Sequence, residues 1–189
     1  MRFPEITSYA ILAMFAITTI WLVLVVIAPF MVPKGTLTDL SGRVGYLDNM
    51  ELYSELDPLP RVVYRIGDSQ CHQIVERSYF LNENQMPFCA RDFGLFIGLA
   101  SASLFALFIR LTINPLWLLA GLVPIAIDGG LQMVTSYESV NALRLATGIV
   151  AGAALALLLA VFLLAFRNED EESSSGSESE HGSRVSGKS

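Results

Sequence analysis

Charge is scarce in this chain. Only 16% of its 189 residues are charged while 53% are hydrophobic. A soluble domain of this length carries more charge, so the composition points to a membrane protein. Lysine is scarcer still, confined to Lys34 and Lys188. No basic patch with interleaved aromatics occurs, which argues against a nucleic-acid partner. No clean signal-peptide cleavage site follows the first apolar run: Ala28-Pro29 is a poor small-x-small site. That run is also longer than the ~7–15 residues of a secretory core, so it reads as a retained anchor. Cysteine and histidine are limited to Cys71, Cys89, His72 and His181.

What is present is four apolar runs. Residues 8–31, 93–110 and 145–166 each approach the ~20 apolar residues needed to cross the hydrocarbon core. Residues 114–134 are long enough but carry Asp128 and Gln132, so they read as a span with a polar end. The expected fold is all-α: an integral membrane four-helix bundle. A short segment (1–7) precedes it, a partly helical extramembrane loop (32–92) follows the first span, and a short loop (135–144) precedes the last. Within the long loop, Pro58-Leu59-Pro60 breaks the chain, residues 61–80 read as one or two short helices, and Asn82-Glu83-Asn84 is turn chemistry. The net charge of −6 is concentrated in residues 167–189, where acidic residues sit among serines and glycines. Such a tail buries too little apolar surface to offset its chain entropy, and disorder is expected there. His181 belongs to it and is given no role.

Four spans put both termini on one side of the membrane and the two loops on the other. Arg2, Arg110 and Arg167 flank one side, and Lys34, Arg91 and Arg144 the other. Charge bias therefore gives no orientation. Because long loops translocate largely regardless of charge, cytoplasmic termini in the cell membrane are the expectation.

Gly94, Gly98, Ala102 and Ala106 recur every four residues in the second span, and Gly148, Gly152, Ala156 and Ala160 do so in the last. Stripes of this kind let helix backbones approach closely. The two helices are expected to pack on each other or on a partner chain, including a second copy.

The chemistry-bearing residues fall in two groups. If residues 68–78 are helical, Asp68, His72 and Glu76 share one face with Cys71 at its border, and Cys89 and Asp92 arrive from the start of the second span. Thiolate, imidazole and carboxylate together are ligand chemistry for zinc or another divalent metal. The candidate ligands are Cys71, His72, Cys89 and Asp92, with Asp68 and Glu76 secondary. The spacing matches no established zinc signature. Asp92 is equally suited to cap a helix beginning at Phe93, and the cysteines to form a disulfide. The second group is Asp128, Gln132 and Ser136, a polar stripe in the third span. An intramembrane carboxylate marks a functional or paired position, and Arg144 is its expected partner. Glu76, Asp128 and Arg144 are the catalytic candidates. Three functions are compatible: a membrane metalloenzyme acting on a lipid-like substrate, a transporter, channel or scaffold built on Asp128, Gln132 and Arg144, or a thiol redox protein using Cys71 and Cys89.

The motifs Cys71-His72-Gln73, Glu76-Arg77-Ser78 and Gln85-x-Pro87-x-Cys89-Ala90-Arg91-Asp92-x-Gly94 resemble those of a family of small multi-pass membrane proteins from archaea and bacteria. Pro124, Asp128-Gly129, Gln132, Ser136, Asn141, Arg144 and Thr147-Gly148 extend the likeness, which covers residues 68–152. The family is a domain of unknown function, so the resemblance implies a membrane fold and shared polar residues but no activity. Where many members have a second cysteine, in Cys-Ala-Arg-Cys, this chain has Asp92. Aspartate can replace a thiolate as a metal ligand but not in a disulfide, which favours the metal reading over Cys-x-x-Cys redox chemistry.

Overall fold

The computed structural model describes residues 9–109 and 114–186, with side chains as far as Ala165 in the last helix. The first span, α1 (Tyr9–Ile27), continues through a 3-10 turn at Ala28–Met31, where Pro29 ends the regular helix. It leaves Ile17, Ile20 and Val23 exposed along its length. A helix with so much apolar surface outward is built for lipid. The extramembrane segment holds α2 (Met50–Ser54), α3 (Pro58–Gln70) and a hairpin of β1 (Ser78–Leu81) and β2 (Asn84–Cys89). The second span is α4 (Ala90–Phe108), beginning at Ala90 rather than at Phe93. The third is broken into α5 (Pro115–Ala120) and α6 (Val123–Val134). Pro124, which has no N–H to donate back into α5, sits in the first turn of α6. The last helix, α7, begins at Asn141 and runs to Ser186. Among the described residues, four apolar stretches are long enough to span a membrane: Tyr9–Met31, Ala90–Phe108, Pro115–Val134 and Asn141–Ala165.

The expected disordered tail meets a helical backbone that continues past Arg167 to Ser186. Its side chains lie outside the described residues, as do segment 1–7 and the flanking Arg2 and Arg110.

The small-residue stripes meet each other within the chain. A Cβ on Gly148 would lie 2.2 Å from the Arg91 carbonyl oxygen, and one on Gly98 would lie 2.2 Å from that of Ile149. Backbone thus packs on backbone along α4 and α7, with the four glycines of the two stripes turned towards each other's helix. Flanking this pair, α1 packs on α4, and α5 and α6 pack on α7.

The extramembrane segment is a folded cap with a core continuous with the bundle: Leu37, Tyr53, Tyr64, Met86 and Phe88 cluster with Val25 and Ala28 of the first span. Buried amides tie it together. The Asn84 side chain accepts from the N–H groups of Thr36 and Leu37 (3.0 Å each) and donates to the carbonyls of Pro29 and Pro33 (3.0 Å each). Gln85 accepts from Leu40 N–H, and Tyr64 donates to the Gln85 carbonyl.

Residues 61–80 are α-helical only to Gln70, with a single 3-10 turn at Val75–Arg77. Cys71 is extended, Gln73 is left-handed (φ 46°), and Asn82 and Glu83 (φ 53° and 61°) close a two-residue hairpin turn. Positive φ at both central positions is what the right-handed twist of a hairpin demands, and Asn tolerates it well. Tertiary pairing with β2 has overridden the local helical pattern.

A candidate metal centre beside a cationic cavity

Cys71 sits at the C-terminus of α3, its N–H donated to the Gly67 carbonyl at 2.8 Å. Two contacts bring this helix end onto β2. A Cβ on Gly67 would fall 2.0 Å from the Pro87 carbonyl oxygen, so only glycine permits the approach, and the Gln73 amide donates to that same oxygen at 2.8 Å. Cys89 closes β2 and caps α4 through its backbone. Asp92 follows in the first turn of α4, so it is not the N-cap. Its carboxylate lies 3.1 Å from the Cys89 sulfur, and the two thiols and this carboxylate offer ligand atoms all within 4.8 Å of one another.

The two thiols share their acidity unequally. A hydrogen bond from Cys89 holds the Cys71 thiol below its ordinary range, whereas that shared hydrogen bond, burial and the Asp92 charge push Cys89 far up. Three acidic groups this close cannot all ionise unaided. A divalent cation removes the conflict, and two thiolates with one carboxylate are a donor set that suits zinc. Both cysteines are free, not bridged.

The remaining sequence candidates are placed differently. His72 is exposed, with its carbonyl fixed by the Gly42 N–H at 2.9 Å. It lines the adjacent cavity but stands outside the three-ligand group. Asp68 is fully buried and engaged by Asn49, accepting from its backbone N–H (3.1 Å) and side-chain amide (3.0 Å). Glu76 is exposed in a 3-10 turn. Asp68, His72 and Glu76 do not share a helix face, because α3 has already ended.

The cavity next to the thiols measures about 100 Å³ and is bordered by Cys71, His72, Cys89, Arg77, Arg91, Gln132 and Arg144. A larger hollow of about 570 Å³ over Leu47–Glu55 has no thiol, imidazole or arginine in its wall. Asp128 pairs with Arg91, not with Arg144, and also accepts from the Tyr137 hydroxyl at 3.4 Å. The reason is helix placement: Arg91 opens α4 and its guanidinium lies against Gly129 of α6. Arg144 faces the 135–140 connector instead, where it bonds Asn141 (3.0 Å) and Glu138 (3.3 Å). Arg77 reaches the same Glu138 at 2.7 Å. Ser136 is exposed beyond the end of α6 and completes no polar stripe.

Arg77 and Arg91 stand in the sequence only as motif and flanking residues, not as site candidates, and Glu138 is not singled out at all. Arg91 could have been, since it lies between Cys89 and Asp92 at the head of a span.

A family model described as predicted membrane protein (DUF2085) matches residues 71–158. An uncharacterized protein of Methanothermobacter thermautotrophicus is 34% identical over 94 residues, 48% of this chain and 85% of that protein. The chain belongs to the DUF2085 family. A second relative, an uncharacterized protein of Methanocaldococcus jannaschii, is 35% identical over 95 residues, 48% of this chain and 61% of that protein. No solved structure matches the chain. The DUF2085 match opens at Cys71 and includes Cys89, Arg91, Asp92, Asp128, Gln132 and Arg144. It thus contains the whole thiol–carboxylate group and the whole cavity wall, while α1, α2 and α3 fall outside it.

Proposed function

We propose that this DUF2085 protein is a membrane metalloenzyme that hydrolyses an ester or phosphoester of a lipid-like substrate. The observation that carries the reading is the Cys71–Cys89–Asp92 group, three ligand atoms within 4.8 Å of one another at the head of a membrane span. Cys71, Cys89 and Asp92 would hold the zinc, which would supply the Lewis acidity that makes water a nucleophile near neutral pH. His72, on the cavity wall beside Cys71, is the group suited to take up the proton. Asp128 and Arg91 hold α6 against α4 and so position the cavity floor. With both termini in the cytoplasm, the site opens on the opposite face of the cell membrane.

The test is metal content. Protein purified without chelator is expected to hold about one zinc per chain. Cys89→Ser and Asp92→Asn lose it, while His72→Ala keeps the metal and loses hydrolysis. Wild-type protein that binds no divalent metal even after reconstitution sinks the proposal.

A further inference from the structure

Three side chains on the wall of the thiol cavity each have a buried nitrogen with no hydrogen-bond partner: Arg91 Nε, Gln132 Nε2 and Arg144 Nε. Among the described residues only one other buried side-chain polar atom, Thr19 Oγ1, is in that condition. Buried donors are rarely left unpaired, and a cluster of them calls for an explanation. All three are donors, so the missing partner is an acceptor. Arg144 is only 3% exposed, and each of its two terminal nitrogens already has a partner, Asn141 for one and Glu138 for the other. The charges agree. Three guanidiniums border the cavity, and the carboxylates paired with them are two, Asp128 for Arg91 and Glu138 shared by Arg77 and Arg144.

We infer that the cavity binds a phosphate-type oxyanion, with Arg144, Arg91 and Gln132 as its donors. Guanidinium groups match the oxygens of a phosphate in geometry and charge. About 100 Å³ suits a phosphate group but not a whole lipid. Leu131, Val140 and Leu143, exposed beside these polar residues in the chain, offer apolar surface for an attached acyl chain. The inference names the substrate class of the metal centre proposed above. It rests on that reading for the reaction but not for the binding.

The experiment is a titration of the full chain in detergent, followed by calorimetry. The probes are dihexanoyl phosphatidic acid below its micellar concentration, inorganic phosphate, and dihexanoylglycerol, which lacks the phosphate. Saturable binding of phosphatidic acid and none of dihexanoylglycerol is expected. Gln132→Leu and Arg144→Lys each weaken binding about tenfold, the effect of losing one hydrogen bond to a charged group. Gln132→Leu removes an unpaired donor, so the ligand-free protein melts no lower than wild type, which a merely structural glutamine would not allow. Inorganic phosphate binding as tightly as the lipid supports the site with free phosphate as its ligand; weaker phosphate binding supports a lipid headgroup. Dihexanoylglycerol binding as well as the phosphatidic acid, no binding of either phosphate, or unchanged binding in both variants overturns the inference. Repeating the titration after zinc removal separates the two proposals: intact anion binding with no metal-dependent hydrolysis overturns the enzyme alone.

Discussion

The Arg91 guanidinium at the head of α4 pairs with the Asp128 carboxylate in α6, joining the second and third spans directly beneath the thiol cavity. Asp128 is nearly buried and the Arg91 side chain is 22% exposed. This pair answers the question posed by an aspartate in an apolar run: the charge is there to be matched.

Breaking it from one side strands the other charge. Asp128→Asn is expected to destabilise the protein by about 2 kcal/mol, less than the ~3–5 kcal/mol of a fully buried pair because Arg91 reaches water. The double variant Arg91→Met with Asp128→Leu costs less than Asp128→Asn alone. Thermal unfolding of the wild type and the two variants in detergent makes the comparison, and a double variant less stable than Asp128→Asn would refute the account.

Glycine substitutions should separate the packed stripe from the lipid-facing surface. A Cβ on Gly152 would meet the Leu95 carbonyl oxygen at 2.1 Å, whereas one on Gly130 meets nothing within 4 Å. Gly152→Ala is therefore expected to cost about 1–3 kcal/mol by overpacking. Gly130→Ala, in an unobstructed helix position, gains about 0.5–1 kcal/mol. Opposite shifts in melting temperature are the signature.

Metal affinity should climb with pH. Cys89 has its acidity suppressed, so it keeps its proton across the neutral range and a cation must displace it. While one proton is released, the apparent zinc affinity rises about tenfold per pH unit. In the metal-free protein Cys71, held the more acidic by its hydrogen bond from Cys89, is expected to be alkylated faster than Cys89, although Cys89 is the more exposed of the two. Equal labelling of both thiols at neutral pH would contradict the shared-proton arrangement.

The Asn84 amide ties the cap to the end of the first span. Asn84→Ala removes the acceptor used by Thr36 and Leu37 and the donor used by Pro29 and Pro33. A loss of about 3 kcal/mol is expected, since buried backbone donors are left unpaired. Trypsin should then cut at Arg43 or Arg61 while the helical content of the spans is retained. A cap as resistant as wild type would show that the apolar cluster alone holds it.

The sequence by itself determined the class and the ends of the problem. Four apolar runs require spanning helices, because backbone polar groups in hydrocarbon must be satisfied within the segment. The glycine register at Gly94, Gly98, Gly148 and Gly152 already specified a close helix pair, and Cys89 with Asp92 is a local spacing that needs no long-range contact to bring together. Tertiary structure decided the rest. Periodicity made Asp68, His72 and Glu76 look like one helix face, but the chain turns extended at Cys71 and left-handed at Gln73, whose side-chain amide bonds the Pro87 carbonyl of β2, and the three are sent apart. Likewise Asp128 chose Arg91 over Arg144, a choice fixed by which helix each guanidinium starts from. Charge and ligand type are written along the chain; which of them share a cavity depends on contacts between residues far apart in it, and no local pattern encodes those.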